Sequence, residues 1–398
     1  MTEPLRSGRA GRPTAGSPVR VAIDASAVPA RPAGAGRYVL DLVTALGPVP
    51  HVALTVLCRS GDEARWRSAA PGAHVLGRAP SRRPLRIAWE QLRLPAILDG
   101  LPVDVHHGPH YTMPERARLP RVVTVHDLSM VEHPGWHEPA KVAYFRRALR
   151  VAAARADAIV AVSKATAERL QALLAPRGAV HVIPHGVDGA RFRVLDPDDE
   201  TGAVLDRAAL RRLGVHLPYV AFVGTLEPRK DVPTLVRAFD HVAATRPGLS
   251  LVLAGGRGWG TRAVEAAVRA AVHGGRVCLA GYVSEEEKAA LLRNAAAVAY
   301  PSLEEGFGLP ALEALACGAP LVTTCGSAME EVTGSAAFLV APRDHRGLAE
   351  ALEAAMACGP DVERRRTAGF EVVARHTWEA SAVAHAGVYR SVALAPAV

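Results

Sequence analysis

Strand-like and helix-like runs alternate along almost the whole chain, and this alternation constrains the fold more than any other feature. It favours parallel sheets with helices on both faces, because a chain must cross over before a second parallel strand can pair with the first. In the first half the predicted strands are 20–25, 52–58, 73–77, 103–107, 121–126, 158–163 and 179–184. The helical patterns between them are 36–46, 84–99, 139–156 and 164–175.

The same alternation restarts near residue 218. The predicted strands of the second half are 219–224, 250–254, 277–280, 297–300, 321–324 and 338–340, and the predicted helices are 231–244, 261–272, 344–357, 361–374 and 378–392. Ser284 and Glu287 have the spacing of a capping box before one more helix, which should end near Asn294. The predicted fold class is therefore α/β, with two Rossmann-like domains facing each other across a cleft.

Length and local composition set the domain boundaries. The chain has 398 residues, which is too long for one ordinary core and suits two domains. We expect a disordered tail at 1–18 and an N-terminal domain at 19–187. An interdomain connection at 188–217 leads to a C-terminal domain at 218–377, and a final helix at 378–398 could pack back on the N-terminal domain.

Composition excludes several classes of protein. Charged residues make up 22% of the chain and hydrophobic residues 49%, which is typical of a folded globular protein. The longest uncharged apolar stretch, 42–58, is interrupted by Gly47, Pro48 and Pro50, so we expect no transmembrane helix. The basic N-terminus lacks the apolar core of a signal peptide, which predicts a cytoplasmic protein.

The net charge of +8 is unevenly distributed. Residues 1–187 contain 25 Lys and Arg against 14 Asp and Glu, whereas the remainder contains 22 against 25. The first half should therefore meet an anionic partner more readily than the second. Nucleic acid is not the expected partner, because the basic excess lacks interleaved aromatics or a recognisable binding module. The five cysteines form no CxxC pair, so buried reduced thiols are favoured over metal ligands or disulfides.

The segment 301–318, PSLEEGFGLPALEALACG, carries the clearest chemical signal. It follows a predicted strand, passes through a glycine-containing loop and enters a helix with Pro310 in its first turn and Gly318 at its end. A helix N-terminus attracts anions. Glu305 and Glu313 flank that point with seven residues between them, and charge-assisted bonds from hydroxyl groups to such carboxylates are worth roughly 1.5–3 kcal/mol each. A ligand with both phosphates and hydroxyls would suit this place.

Three other loops in the second half have related content. The loop 224–231, GTLEPRKD, begins with Gly224 and places Arg229 and Lys230 before a helix, where they could neutralise a diphosphate. Taken alone, an Arg-Lys pair is more typical of a solvated charged turn. Gly255 and Gly256 form the second such loop. In the third, Gly281 precedes Tyr282 and Val283, and backbone atoms of both loops could border a nucleotide base.

Taken together, these motifs resemble the retaining glycosyltransferases of family 4 (group 1), whose architecture is called GT-B. The signature is EGFGLPALEALACGAP, and the resemblance extends to GTLEPRKD, to VHD at 125–127, to AVSKAT at 161–166 and to IPHGVD at 183–188. It implies that Arg229 and Lys230 bind the donor diphosphate, that Glu313 holds the ribose hydroxyls and that Glu305 holds the transferred sugar at its 3-hydroxyl. The amides of Phe307, Gly308 and Leu309 would contact sugar and phosphate.

The resemblance also assigns two positions in the N-terminal, acceptor-side domain. Gly36 lies in GAGRY, which matches the glycine loop that approaches the diphosphate, although a GxG before a helix is weak evidence by itself. His126 matches the active-site histidine near the donor sugar. His106, His107 and His110 lie at or near a predicted strand end and are candidates for contact with the acceptor.

A DxD-like run at 196–199, DPDD, is the metal-binding pattern of a different glycosyltransferase architecture. It falls in the interdomain stretch, where a solvated acidic loop is the favoured interpretation. The resemblance implies stabilisation of the phosphates by Arg, Lys and a helix dipole, so we expect no metal and no cofactor beyond the nucleotide sugar.

The expected function is metal-independent transfer of a hexose to a glycan or polyprenyl-linked acceptor in cell-envelope polysaccharide synthesis. GDP-mannose is the leading donor, because IDASAV at 23–28, GAGRY and the stretch from Trp89 to Pro114 resemble mannosyltransferase-like members of the family. The alternatives are glucosyl or other hexosyl transfer to a small molecule and a non-catalytic sugar-nucleotide-binding subunit. A nicotinamide-dependent oxidoreductase is disfavoured, since neither half has a complete GxGxxG after its first strand.

A basic and partly amphipathic stretch in the first half bears on the acceptor. Five arginines accompany three apolar residues there: Arg78, Arg82, Arg83, Arg86 and Arg93 with Leu85, Ile87 and Trp89. The pattern suits an anionic membrane surface or a lipid diphosphate, which would make the protein peripheral at the inner face of the membrane. An ordinary solvated helix face is the competing interpretation.

Overall fold

The computed structural model describes residues 16–395 and divides the chain into two compact units. The N-terminal unit comprises the chain up to Val131, Ala140–Gly186 and the chain from Trp378 onward, and the C-terminal unit comprises Glu132–Pro139 and Val187–Thr377. Residues 1–15 of the expected disordered tail and the last three residues of the expected C-terminal helix lie outside the described residues.

The N-terminal unit is built on a parallel seven-stranded sheet in the order β3-β2-β1-β4-β5-β6-β7. Its central strands are almost continuously apolar and buried, as both faces of the sheet are covered by helices. The strands are β1 (Val19–Asp24), β2 (Val52–Arg59), β3 (His74–Ala79), β4 (Val105–Gly108), β5 (Arg121–Val125), β6 (Ala158–Ala161) and β7 (Ala179–Val182).

Among the described residues seven helices connect these strands, three more than the alternation predicted. They are α1 (Ala35–Leu46), α2 (Glu63–Ala69), α3 (Arg83–Leu92), α4 (Leu94–Asp99), α5 (Ser129–Glu132), α6 (Pro139–Arg155) and α7 (Lys164–Leu174). The single helix expected at 84–99 is wrong. It is two helices, because Pro95 lies in the first turn of α4 and disfavours helical geometry in the preceding residues.

The C-terminal unit repeats the plan with a parallel six-stranded sheet in the order β10-β9-β8-β11-β12-β13. Counted from its own first strand, this order is the 3-2-1-4-5-6 of doubly wound nucleotide-binding sheets. The strands are β8 (Tyr219–Val223), β9 (Ser250–Ala254), β10 (Val277–Gly281), β11 (Ala297–Tyr300), β12 (Leu321–Thr324) and β13 (Ala337–Val340).

The helices of the C-terminal unit lie between these strands, before β8 and after β13. They are α8 (Glu200–Arg212), α9 (Val232–Thr245), α10 (Thr261–Ala270), α11 (Glu285–Arg293), α12 (Leu309–Ala316), α13 (Ala328–Thr333), α14 (His345–Ala355) and α15 (Pro360–Arg375). The predicted capping box is confirmed, as Ser284 accepts from the Glu287 amide and Glu287 accepts from the Ser284 amide.

The expectation of an irregular connection at 188–217 is wrong in part. Helix α8 occupies its middle and belongs to the C-terminal unit, where Arg293 of α11 donates twice to Asp206, from Nε at 2.8 Å and from Nη2 at 2.5 Å. Asp199, part of the DxD-like run, accepts from the Gly202 amide at 2.8 Å and so caps α8. The acidic run therefore begins a helix.

The last helix, α16 (Trp378–Leu394), belongs to the N-terminal unit, and Trp378 and Tyr389 join the core cluster that also contains β1 and α1. Among the described residues, no helix combines the length and apolar character that a membrane span requires.

Candidate active site

The strand order of the C-terminal unit brings two chemistry-bearing loops together. β8 and β11 pair side by side, with Val220 opposite Ala297, and the chain leaves them toward opposite edges of the sheet. At such a switch point the loops after the two strands diverge and leave a crevice at the carboxyl edge. The loop after β8 carries Arg229 and Lys230, and the loop after β11 carries Glu305.

Glu305 lies between the two cations. Arg229 donates from Nη1 to Oε2 of Glu305 at 2.6 Å, and Lys230 donates to Oε1. Burial alone would raise the pKa of the Glu305 carboxyl, but Arg229 and Lys230 outweigh burial and lower it to about 2. Burial lowers the pKa of Lys230, and the charge of Glu305 opposes that effect. The cluster thus holds two basic side chains within hydrogen-bonding distance of one buried carboxylate.

Arg229 also ties the two loops together through the backbone. Its Nη1 donates to the Glu304 carbonyl at 3.3 Å, its Nε donates to Glu227 at 3.0 Å, and its own carbonyl accepts from the Leu303 amide at 2.8 Å. Because these bonds join the β8 loop to the β11 loop, the position of Glu305 relative to the cations is fixed by backbone contacts as well as by charge.

Gly224 and Gly255 let the loops after β8 and β9 approach closely. The Gly224 amide donates to the Ala254 carbonyl at 2.8 Å. Gly255 has φ +148°, and a Cβ there would lie 2.0 Å from the Gly224 carbonyl oxygen. Only glycine fits at Gly255, because any side chain would push the β9 loop away from the start of the Arg229 loop.

Helix α12 begins beside Glu305. Gly308 precedes it with φ +102°, and a Cβ at Gly308 would lie 2.2 Å from Sδ of the buried Met329. Phe307 is buried next to it, and Leu309 is the first residue of the helix. The turn therefore aims the N-terminal amides of α12 at the edge where the cations lie, an arrangement that attracts anionic oxygens.

Glu313 lies about one turn inside α12 and is buried. Its Oε1 accepts from Nζ of Lys288 in α11 at 2.8 Å, and Lys288 also lies 3.0 Å from Glu285. No motif in the sequence marked Lys288. The feature that could have pointed to Lys288 is its position as the fourth residue of the capped helix α11, which precedes β11.

Tyr282 and Val283 follow β10 as predicted, but they differ in environment. The Gly281 carbonyl accepts from the Gly255 amide at 2.6 Å, which joins the β9 and β10 loops. Tyr282 is 47% exposed, whereas the Val283 side chain is buried. Tyr282 can therefore offer a side chain to a ligand, and Val283 can offer its backbone.

Sequence reasoning also missed a contact at Glu304. This buried carboxylate lies 3.2 Å from Nε2 of His133, which stacks on Trp136 with 4.0 Å between ring centroids. The segment Glu132–Pro139 belongs to the C-terminal unit, although the chain on both sides of it belongs to the N-terminal unit. Glu304, which directly precedes the signature residue Glu305, therefore contacts a segment that is distant in the sequence.

Gly36 and His126 belong to the N-terminal unit. Gly36 lies in the first turn of α1, where a Cβ would lie 3.3 Å from Cδ of Pro29. His126 is buried just after β5, and its Nε2 lies 2.8 Å from the Pro109 carbonyl, so Nε2 carries the proton of the neutral ring. Burial lowers the pKa of His126, although the bond to Pro109 opposes the shift.

The expectation that His106 and His107 meet the acceptor is wrong, because both side chains are fully buried. Starting from the Ser381 carbonyl, which can only accept, each proton of the network around His107 can be assigned. The donations run from Tyr389 to His107 Nδ1 (2.8 Å), from His107 Nε2 to Thr124 (2.8 Å), from Thr124 to Tyr38 (2.9 Å), from Tyr38 to His385 Nε2 (3.0 Å) and from His385 Nδ1 to Ser381 (2.7 Å). This neutral network fastens α16 to the sheet.

Only some side chains of the basic stretch at 78–93 are exposed. Arg86 and Trp89 are buried, and Arg86 lies 3.5 Å from Glu90 one turn along α3. Leu85 and Leu92 are 55% and 66% exposed, and Arg82, Arg83 and Arg93 are exposed around them. Arg86 therefore has to be removed from the predicted basic face.

Of the predicted site residues, the structure joins Arg229, Lys230 and Glu305 directly. Gly308 directly precedes the adjoining helix α12, and Glu313 lies on it. In the N-terminal unit, Gly36 lies in the first turn of α1 and His126 lies just after β5. The roles assigned to these residues remain predictions.

Comparison with known proteins places this site in a family. The model of the family described as "Glycosyl transferases group 1" matches residues 213–372, and that of "Glycosyltransferase Family 4" matches residues 32–191. The chain is 33% identical to a D-inositol 3-phosphate glycosyltransferase of Xylanimonas cellulosilytica over 69% of its own length and 67% of that protein. It is 30% identical to the O-antigen chain mannosyltransferase B of Escherichia coli over 60% of its own length, and it spans 62% of that protein.

A solved structure supports the same fold. Alr3699/HepE of Anabaena, determined in complex with UDP and glucose, superposes with a TM-score of 0.72 at 17% identity, over 94% of this chain and all of that one. Together with the two parallel sheets, this likeness confirms the expected GT-B fold class.

Proposed function

The chain belongs to the group 1 glycosyltransferases of family 4 and is a hexosyltransferase, and we propose that its donor is GDP-mannose. In this proposal mannose passes to a glycan or polyprenyl-linked acceptor, with retention of anomeric configuration, during cell-envelope polysaccharide synthesis. The likeness to the O-antigen chain mannosyltransferase supports the choice of sugar and of process.

The observation that carries the proposal is the contact of Arg229 and Lys230 with Glu305 at the switch point of the C-terminal sheet. A sugar diphosphate needs cations for its phosphates and an ionised acceptor for its hydroxyls within a few ångströms of each other. Arg229 offers a planar fork of donors and Lys230 offers three donors from a point charge, and both groups suit phosphate oxygens. The low pKa of Glu305 keeps its carboxylate ionised at neutral pH, ready to accept from the 3-hydroxyl of the sugar.

The reaction proposed at this site is a front-face displacement. The bond between the anomeric carbon and the phosphate oxygen breaks, the acceptor oxygen bonds to the same face, and its proton passes to the departing phosphate oxygen. Arg229, Lys230 and the amides of Phe307, Gly308 and Leu309 neutralise the charge that develops on the diphosphate, and no metal or other cofactor is needed.

The remaining site residues orient the donor in this proposal. Glu313 accepts from the ribose hydroxyls, and Gly224, Tyr282 and Val283 border the nucleotide. From the N-terminal unit, Gly36 approaches the diphosphate and His126 lies by the transferred sugar. The proton of His126 is on Nε2, where it serves the Pro109 carbonyl, so Nδ1 is the nitrogen that could accept from a sugar hydroxyl.

The proposed location is cytoplasmic and peripheral at the inner face of the membrane. The excess of basic residues in the first half and the exposed side chains Leu85 and Leu92 support contact of α3 with an anionic lipid surface. A lipid-linked acceptor would be presented at such a surface.

Transfer of glucose or another hexose to a small molecule is the second candidate. It is favoured by the likeness to the D-inositol 3-phosphate glycosyltransferase and by the complex of HepE with UDP and glucose. This candidate uses the same residues and differs in base, sugar and acceptor.

A thermal-shift panel tests the proposal. GDP-mannose, UDP-glucose, GDP, UDP and NAD are each added to the full chain, and products are then analysed with the donor that stabilises it most. Ligand at 100 times its Kd adds about 2.7 kcal/mol of stability, so we expect GDP-mannose to raise Tm by several degrees. Stabilisation by UDP-glucose instead would favour the second candidate, and stabilisation by NAD alone would contradict both.

A further inference from the structure

Lys288 is the cation that lies against the second signature glutamate. Its Nζ donates to Glu313 at 2.8 Å, lies 3.0 Å from Glu285 one turn earlier in α11, and lies 4.8 Å from the ring centroid of Phe192. Its side chain is only 13% exposed, and Glu313 and Phe192 are buried. The ammonium group is thus held by two carboxylates and one aromatic ring in a nearly closed setting.

The lysine usage of the chain makes this placement notable. Only four of the 47 basic residues are lysines, and the two in the second half are Lys230 and Lys288. Each of them contacts one of the two signature glutamates, Glu305 and Glu313. A lysine is a compact point charge on a flexible stem, whereas the planar guanidinium of arginine needs more room.

Charge explains why Glu313 needs such a partner. A carboxylate in a buried position is costly to ionise unless a cation lies beside it. Burial lowers the pKa of Lys288, but Glu313 and Glu285 outweigh it and raise that pKa, so the lysine remains a cation. Two further groups near Glu313, the Tyr300 hydroxyl and the Cys317 thiol, are buried, and neither carries a positive charge.

We infer that Lys288 is a positioning residue that holds Glu313 ionised and oriented, and thereby sets the preference of this site for a ribonucleotide over a deoxyribonucleotide. The inference rests on the proposed function, in which Glu313 accepts from the ribose hydroxyls. Lys288 itself need not touch the donor.

The test compares nucleotide affinities by calorimetry, using UDP, GDP and their 2′-deoxy counterparts dUDP and dGDP. A hydrogen bond to a charged group is worth enough for the wild-type protein to prefer the ribose form by about tenfold or more. In Lys288→Met this preference should fall to about threefold or less. The donor KM should rise more than kcat falls, because binding lost equally from ground and transition states appears in KM.

A double-mutant cycle shows whether Lys288 acts through Glu313. Glu313→Gln should lose the same preference, and Lys288→Met in that background should add little further loss. Arg212→Met is the matched control. Arg212 of α8 pairs at 2.9 Å with Glu287, the neighbour of Lys288 in α11, but the Arg212 side chain is 67% exposed. The Arg212→Met variant should keep the full preference for the ribose form.

The outcomes separate the two ideas. If Glu313→Gln keeps the ribose preference, the proposed role of Glu313 is wrong. If Glu313→Gln loses it and a folded Lys288→Met keeps it, or weakens both nucleotide forms equally, the role of Lys288 is wrong. Glu285→Gln tests the role of Lys288 even if the Lys288→Met variant does not fold. That variant leaves Glu313 as the carboxylate at Lys288 and should keep the preference, and its loss there would also overturn the inference.

Discussion

Glu305 keeps its negative charge in a buried position because Arg229 and Lys230 contact its two oxygens. The pKa of this carboxyl is lowered to about 2, so the stabilisation that the cluster contributes is present above the ordinary carboxyl range and is lost only as pH falls toward 2. Near neutral pH the charge of Glu305 is therefore constant. A change in activity with pH in the neutral range should therefore come from the titration of groups other than Glu305.

Lys230 is the residue whose removal should affect chemistry most. We expect Lys230→Ala to lower turnover at least about 100-fold, because it removes a buried cation from the point where charge develops on the diphosphate. The measurement is steady-state turnover with the donor that the thermal-shift panel identifies, together with circular dichroism to verify folding.

Arg246→Ala is the control for this loss. Arg246 is a cation of the same unit whose side chain is 40% exposed and paired with Glu353, and an exposed pair of this kind is worth about 1 kcal/mol or less. Turnover by the Arg246→Ala variant should stay near that of the wild-type protein. Normal turnover in a folded Lys230→Ala variant would contradict the assignment of Lys230 to the diphosphate.

Some residues could be placed from the sequence and others could not. Arg229, Lys230 and Glu305 follow predicted strands, and parallel strands end at one edge, so their meeting could be anticipated. The burial of His107 could not, since its partner Tyr389 is 282 positions away. The spacing of Arg86 and Glu90 is that of an ion pair on one helix face, a signal that could have removed Arg86 from the predicted basic face.

At the level of elements, the alternation of patterns located all thirteen strands of the described chain to within about two residues. Helix α8 was missed because Asp, Gly and Arg dilute its apolar pattern, and its stability comes from tertiary contacts such as that of Asp206 with Arg293. The place of segment 132–139 in the C-terminal unit was also missed, because it too depends on tertiary contacts. Its place depends on the contact of His133 with Glu304, which no local pattern encodes.

Helix α3 is the element that should meet the membrane. We expect the double variant Leu85→Glu with Leu92→Glu to reduce flotation with vesicles of anionic lipid about tenfold or more. The change removes two exposed apolar side chains and adds negative charge among the exposed arginines Arg82, Arg83 and Arg93.

The control for this prediction lies in the other unit. Leu205 of α8 is 64% exposed, and Leu205→Glu should leave flotation unchanged. Wild-type binding should weaken as salt is raised, because the arginines act through screened charge. Failure of the wild-type protein to float at low salt would rule out the membrane surface as its partner.

At the scale of the whole molecule, the two parallel sheets share the strand order 3-2-1-4-5-6, with one further strand in the N-terminal sheet, and each unit carries some of the predicted site residues. The C-terminal unit holds Arg229, Lys230, Glu305 and Glu313, and the N-terminal unit holds Gly36 and His126. The family resemblance of the sequence predicted this division, because its motifs are distributed over nearly the whole length. Donor base, sugar and acceptor depend on side chains outside these motifs, so the motifs alone do not determine them.

The most direct test of the central claim is the stereochemistry and residue dependence of transfer. The full chain is incubated with its donor and a panel of alkyl glycosides, and the anomeric proton of the new linkage is observed by NMR as it forms. We predict an α-linked product from the α-configured nucleotide sugar, with the rate reduced at least about 100-fold in Glu305→Gln. A β-linked product, or undiminished transfer by a folded Glu305→Gln variant, would contradict a retaining transfer centred on Glu305.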